Sequence, residues 1–187
     1  MLPDAVPLLR ERFVHRDDVY AVMCWHARQK RDNYYDRVFE PLTDAVLTAH
    51  LQGEVTVAIF PTDITTQTVK FCCWDVDSEL EIDLLKVLAV CDRLNLSRVI
   101  ERSGRGNRWH VWHFFDQPQP IREVRKLAAS CSLDGIDFFP ERDFVLDDFY
   151  YELPIKIPCG WHRKDHVWSS FLDVDGHEVS IQDALTS

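Results

Sequence analysis

Two aspartates, Asp75 and Asp77, close an otherwise apolar run whose core is Val69, Phe71, Cys72, Cys73 and Trp74. β-Branched and aromatic residues suit a pleated surface, so the run reads as a buried strand. Residues i and i+2 of a strand share a face. The two carboxylates therefore project together, about 7 Å apart at Cα from the strand rise, with Val76 turned away. Such a pair suits one hard cation, or two cations about 4 Å apart. Taken alone, it also reads as a strand end entering the loop before a helix at Glu79.

Other residues add to the pair. His110 opens a later strand, after the basic, glycine-containing turn Ser103-Gly104-Arg105-Gly106-Asn107-Arg108, and Asp137 sits on a third, short strand. Downstream lies a second basic stretch, His162-Arg163-Lys164. Each has an ordinary reading alone: a satisfied core histidine, a hairpin turn, a turn acid, a solvated loop. Together, three carboxylates and a histidine flanked by Arg105, Arg108, Arg163 and Lys164 form a set suited to phosphoryl or nucleotidyl transfer. Carboxylates hold Mg²⁺ or Mn²⁺, while cationic side chains and loop N–H groups hold phosphate oxygens.

The elements that must position these groups follow from periodicity. Val6 to Arg31 reads as helical material, centred on Val14 to Gln29 with Arg28, Lys30 and Arg31 near its end. A second helix covers Leu42 to Leu51, closed by Gly53, with His50 read as a C-terminal capping histidine. Val55 to Phe60 and Gln67 to Asp77 are strands around a turn at Pro61 and Asp63. Leu80 to Leu94 is an amphipathic helix, followed by a short strand, Arg98 to Glu101. The strand from His110 places His110, Trp112 and Phe114 on one face and Trp109, Val111, His113 and Phe115 on the other. Then come a helix (Pro118 to Ser132), a strand (Ile136 to Pro140), an acidic aromatic loop (Asp143 to Tyr151), and strands at Glu152 to Pro158 and His166 to Leu172. The tail from Asp173 reads as peripheral. From residue 67 onward the order of strands and helices matches a ferredoxin- or RRM-like sheet with helices on one face.

The 187 residues are 46% hydrophobic, enough for one compact domain with two lobes. A net charge of −10 argues against a general nucleic-acid coat but leaves room for a local basic groove. No apolar run reaches a membrane span, and Met1 to Arg12 lacks a signal peptide's apolar centre, so a cytoplasmic protein without membrane contact is expected. The six cysteines (Cys24, Cys72, Cys73, Cys91, Cys131 and Cys159) show no C-x-x-C spacing and read as reduced core residues rather than a zinc site.

These motifs resemble the catalytic core of the archaeo-eukaryotic primase (AEP) superfamily, the primase-polymerases of plasmids, phages and prokaryotic defence systems. Asp75-Val76-Asp77 matches its first acidic motif. Ser103-Gly104-Arg105-Gly106 with His110-Val111-Trp112 resembles the second, and Ile136-Asp137 the third. Ile157-Pro158-Cys159-Gly160-Trp161-His162-Arg163-Lys164 and His50-Leu51-Gln52-Gly53 are similar to flanking segments. The likeness runs from about residue 15 to 172. It implies an α/β (α+β) fold: residues 1–187 as one catalytic domain, a smaller N-terminal α/β lobe (1–66) that helps bind template, an RRM-like antiparallel sheet carrying the active site (67–175), and a tail (176–187). It implies that Asp75, Asp77 and Asp137 ligate two Mg²⁺ or Mn²⁺ ions. His110 is then catalytic and contacts the incoming nucleotide, with Ser103, Arg105, Arg108, His162, Arg163 and Lys164 around it. The implied partners are a single-stranded DNA template, a primer and nucleoside triphosphates, with replication or defence-system proteins beyond them. Asn107-Arg108-Trp109 lengthens the usual distance between serine and histidine. The zinc element of some relatives is missing, and the chain ends soon after the core, which points to extension rather than primer-independent initiation.

The expected function is therefore DNA primase-polymerase activity. The rivals are a metal-dependent nuclease or phosphodiesterase using the same acids, and a non-catalytic nucleic-acid-binding module that stacks bases on Tyr34, Tyr35, Trp109 and Trp112.

Overall fold

The computed structural model describes residues 2–24, 34–78, 80–130, 133–146 and 152–186. In chain order these form α1 (Leu2–Phe13), β1 (Tyr20–Cys24), β2 (Tyr34–Val38), α2 (Asp44–Leu51), β3 (Val57–Ile59), β4 (Thr62–Asp63) and β5 (Thr68–Asp77). Then follow α3 (Glu81–Leu94), β6 (Val99–Arg102), β7 (Arg108–Pro120), α4 (Ile121–Ser130), β8 (Asp137–Phe139) and β9 (Ile155–Lys156). The chain closes with β10 (Trp161–His162), β11 (Val167–Trp168), β12 (Ser170–Leu172), β13 (Glu178–Val179) and α5 (Ile181–Thr186).

The strands build a four-stranded sheet, β2-β1-β3-β9, a two-stranded ribbon, β10-β11, and a seven-stranded sheet, β13-β12-β6-β7-β5-β4 with β8 also on β5. Within the large sheet, β5-α3-β6-β7-α4-β8 is a βαββαβ unit with lateral order β8-β5-β7-β6 and every pairing antiparallel. This is the expected RRM-like arrangement, with its helices on one face.

The alternation of β5 and β7 explains how this sheet divides the core. Phe71, Cys73 and Trp112 pack toward α1, α2, β3 and β9. Cys72, Trp74, Val76, Trp109 and Val111 pack with Val87 and Cys91 of α3 and Val124 of α4. A register shift between Val69 and Phe71 changes the phase, which puts Val69 with the second group. One apolar cluster thus joins residues of both expected lobes, from Leu9 to Phe171.

Two expectations about the elements are corrected, and a third about His50. The helix expected over Val14 to Gln29 is absent from its described part: the helix is α1, and Tyr20–Cys24 is a strand between β2 and β3. Apolar residues here satisfy both periods, and pairing on two sides decides for the strand; Trp25, Arg28, Lys30 and Arg31 lie outside the described residues. The tail is not peripheral. β13 adds a strand to β12, and Ala184 and Leu185 of α5 are buried in the main core, where Arg12 donates to the Leu185 carbonyl at 2.9 Å.

His50 is not a capping side chain. It is fully buried, accepts from the Val57 N–H at Nδ1 (3.0 Å) and donates from Nε2 to the Pro158 carbonyl (3.1 Å), stapling α2 to β3 and the segment after β9. Burial pushes its pKa down to about 4, which keeps the ring neutral for this double role. Of the cysteines, Cys72, Cys73 and Cys91 are buried and Cys24 and Cys159 partly so, all as free thiols; Cys131 lies outside the described residues. No described helix is long and apolar enough to cross a membrane.

Candidate active site

Strand register places four ionisable side chains in one lateral row. Glu101 on β6 faces His110 on β7, His110 faces Asp75 on β5, and Asp75 faces Asp137 on β8. Directly opposed residues in a sheet are nearest neighbours on the same face. Asp77, two residues beyond Asp75, shares that face and is registered with Arg108. The row opens into a cleft of about 610 Å³ between the two sheets. Asp75, Asp77, Ser103, His110 and Asp137 line it from the large sheet; Tyr35, Arg37 and Lys156 line it from the small one.

The two carboxylates flanking His110 are held in opposite ways. Glu101 is fully buried and saturated: Oε1 accepts from Lys156 Nζ at 2.8 Å, and Oε2 accepts from His110 Nδ1 at 2.8 Å and Trp112 Nε1 at 3.1 Å. Burial alone would raise its pKa, but Lys156 and His110 hold the carboxyl well below the usual range. Lys156, 4% exposed at its side chain, also donates to Ser169 Oγ at 2.9 Å. Asp75, by contrast, is 25% exposed at its side chain, yet its Oδ1 is buried with no hydrogen-bond partner. His110 Nε2 stands 3.5 Å from that oxygen, too far for a good hydrogen bond. Burial pushes the Asp75 carboxyl up to about 6, with Asp77 and Asp137 adding to the effect and His110 opposing it.

Glu101 also sets the histidine. With Nδ1–H donated to Glu101, Nε2 is the ring atom aimed at Asp75 and the cleft. Burial disfavours the charged ring, but Glu101 and Asp75 outweigh it and raise the His110 pKa.

The donor set fits a hard divalent cation. The candidate ligands are carboxylate oxygens, the preference of Mg²⁺ and Mn²⁺, and Asp75 Oδ1 is a buried acceptor with nothing to accept from. Asp75 stands between Asp77, two residues along its own strand, and Asp137, directly across. The three carboxylates do not converge within 4.8 Å of one another. Among the described residues, the group that does is Asp173, Asp175 and His177 in the β12–β13 turn.

The basic residues separate by position. Ser103 and Arg108 close the β6–β7 turn, where the Ser103 N–H donates to the Arg108 carbonyl at 2.9 Å and Gly106 supplies a positive φ of 72°. Arg108 lies 3.8 Å from Asp77 and 3.4 Å from Asp165. Asp165, in the β10–β11 turn, also accepts from the Arg105 N–H at 3.0 Å, while its own N–H donates to His162 Nδ1 at 3.1 Å. Asp165 thus ties the two basic turns together. Burial lowers the His162 pKa to about 4 despite the opposing effect of Asp165. Arg163 points elsewhere, donating to the carbonyls of Gly53 and Glu54. Of the predicted nucleotide-binding residues only Ser103 and His110 line the cleft; Arg105, Arg108, His162, Arg163 and Lys164 do not.

Sequence reasoning missed Glu101 and Lys156 as site residues, and also Arg37; Tyr35 it named only as a base-stacking residue. A signal for the first two was present: each is a charged residue in an apolar strand, Val-Ile-Glu101 and Ile-Lys156-Ile, and a buried charge must be paired. Trp109 and Trp112, named as stacking residues, are buried in the core, and the side chain of Tyr34 lies outside what the structure describes.

Among solved structures, the AEP domain of the cyanophage S-2L primase-polymerase (PrimPol) matches with a TM-score of 0.55 and 16% sequence identity, over 98% of this chain and 96% of that one. At that identity the likeness concerns the fold. A comparison with curated proteins finds no match. The archaeo-eukaryotic primase domain of TOTE conflict systems matches residues 4–186, nearly the whole chain, and the protein therefore belongs to that family.

Proposed function

We propose that the protein is a DNA primase-polymerase core, joining a 3′-hydroxyl to the α-phosphate of a nucleoside triphosphate on a single-stranded DNA template. Family membership supports nucleotidyl transfer as the broad activity. The observation that carries the finer reading is the row itself, in which an unsatisfied Asp75 oxygen stands beside a histidine locked by a saturated glutamate.

Asp75, Asp77 and Asp137 would hold two Mg²⁺ or Mn²⁺ ions, which supply charge neutralisation at the α-phosphate and at the leaving pyrophosphate. His110 presents Nε2 to a phosphate oxygen, and its raised pKa favours the charged, donating form. The guanidinium of Arg108, spread between Asp77 and Asp165, stands ready for the triphosphate, with Ser103, Arg105 and His162 around it. Lys164 would act from the rim, and Arg163 would steady the α2–β3 turn rather than touch nucleotide. Tyr35 and Arg37 on the small sheet close the cleft from the other side.

A synthesis assay on primed and unprimed single-stranded DNA, with Mg²⁺ or Mn²⁺ and either ribo- or deoxynucleotides, tests this beside an Asp75→Ala/Asp77→Ala variant. Metal-dependent lengthening that the variant loses is expected. Shortening of the DNA would replace the proposal with a nuclease, and metal-independent binding without product would replace it with a binding module.

A further inference from the structure

The cleft does not end at Asp137. This residue also lines a second hollow of about 520 Å³ on the helical side of β8, shared with Trp74, Arg125 and Ile136. Arg125, Ala129 and Glu141 in turn line a third, of about 520 Å³, with Arg122, Lys126 and Arg142. Asp137 alone is common to the first two hollows, and Arg125, Ala129 and Glu141 to the last two, so the three adjoin as a trough-like series from the acidic row around β8 to α4.

The trough's charge differs from that of the molecule. Its far part carries Arg122, Arg125, Lys126 and Arg142 against Glu141 and Asp143, in a chain of net charge −10. α4 is strongly amphipathic: Ile121 and Val124 are buried in the core, so its cations fall on the outer face. Arg125 is structural, donating to the Pro140 carbonyl at 3.1 Å and fixing the segment after β8. Arg122 lies 5.8 Å from the ring centroid of Phe144, which is 42% exposed. Lys126 pairs with Glu123 in full solvent, where such a pair is weak and yields readily to a phosphate.

Polarity selects the occupant, given the nucleotidyl-transfer reading on which this rests. In an in-line displacement the attacking oxygen and the leaving pyrophosphate lie on opposite sides of the α-phosphorus. The Ser103 to Arg108 turn and His110 lie on the β7 side of Asp75, where the triphosphate belongs. Asp137 and the trough lie on the β8 side. We infer that the growing strand runs from its 3′ end at Asp137 around β8 and along α4, with its phosphates met by Arg122, Lys126 and Arg142.

The test is binding of the full chain to a template annealed to a primer lengthened stepwise from two nucleotides, measured by fluorescence anisotropy across a salt series. Wild-type affinity should rise with primer length. Arg122→Ala/Lys126→Ala/Arg142→Ala should abolish that rise and flatten the log K against log salt slope by about 0.7–0.9 per cation removed, while leaving affinity for the unprimed template unchanged. A milder Arg122→Gln/Lys126→Gln pair, with folding checked by circular dichroism, should give a proportionate part of the effect. A wild-type rise with primer length that persists in the variants overturns the path and leaves the polymerase reading standing. Wild-type affinity that ignores the primer, or no binding to primed DNA at all, overturns both.

Discussion

Neutralising Glu101 should expose how much of the fold hangs on one buried carboxylate. Glu101→Gln keeps volume but replaces one acceptor oxygen with an NH₂ donor, which must then face Lys156 Nζ or the N–H groups of His110 and Trp112. With the NH₂ toward Lys156, that cation, 4% exposed, keeps only Ser169 Oγ at 2.9 Å and the Ile157 carbonyl at 3.4 Å; with it toward His110 and Trp112, Lys156 keeps a neutral amide oxygen in place of a carboxylate. Breaking a buried pair from one side costs about 3–5 kcal/mol, and for a chain of this size about 2–4 °C of Tm accompanies each kcal/mol. Urea denaturation at neutral pH should therefore show a loss of at least about 3 kcal/mol, with Tm down by about 6–20 °C. Lys156→Met should cost less, because Glu101 keeps two donors and His110 can carry the compensating charge. Combining the two should recover most of the loss, since neutral side chains of similar volume often replace a buried pair at little cost, giving a coupling energy of about 2 kcal/mol or more. The recovered double variant should still show a raised KM for nucleotide, because His110 has lost its charged anchor. A Glu101→Gln loss below about 1 kcal/mol, or strictly additive single losses, would refute the closed buried unit.

Three further outcomes follow from other parts of the fold. Glu152 is 6% exposed, takes both its hydrogen bonds from Thr62 and is raised by burial from 4.5 to about 7. Because the folded state holds this proton more tightly than the unfolded one, its contribution is complete below about pH 4.5 and lost by about pH 7, roughly 3 kcal/mol in all; Glu152→Gln should flatten urea stability across that window. Arg108→Ala should raise KM for nucleotide about tenfold or more with little change in Tm, whereas Arg163→Ala should cost about 1–2 kcal/mol of stability and leave KM alone; the opposite pattern would reverse the two roles. Gly160→Ala would drive a Cβ into the His50 ring, held on both nitrogens, so a loss of about 3 kcal/mol in thermal or urea melts is expected.

Local pattern carried the large sheet. β5 ends in Asp75 and Asp77 as its alternation requires, and the order β5-α3-β6-β7-α4-β8 follows from stretches whose periods are unmistakable. Where a stretch fits two periods, as from Val19 to Met23, neighbours decide: β1 is a strand because β2 and β3 pair with both its edges. The tail failed for a related reason, since the value of Ala184 and Leu185 depends on a hollow beside α1 that is built by distant residues. Glu101 and Lys156 lie 55 positions apart, and neither strand announces that the other will meet it.

The contrast between Glu101 and Asp75 gives the site its logic. Both acids flank the same imidazole, one strand to either side, in a row where every neighbour is ionisable. Burying several like charges together is unfavourable unless each finds a counter-charge. At Glu101 the fold supplies everything: a lysine from the other sheet, the histidine and an indole N–H. At Asp75 it supplies a ring nitrogen held just out of hydrogen-bond range and leaves Oδ1 bare. If the row were only structural, the cheaper arrangement would turn His110 around to satisfy Asp75, because Glu101 already has Lys156. The saturated end instead fixes the imidazole and leaves an unsatisfied carboxylate oxygen beside the open cleft. It follows that Asp75→Asn should abolish Mn²⁺ binding, measured by calorimetry, and cut activity by at least about a hundredfold without lowering Tm. A marked fall in Tm would mean that Asp75 is held by partners of its own and that the asymmetry across His110 is not a ligand site.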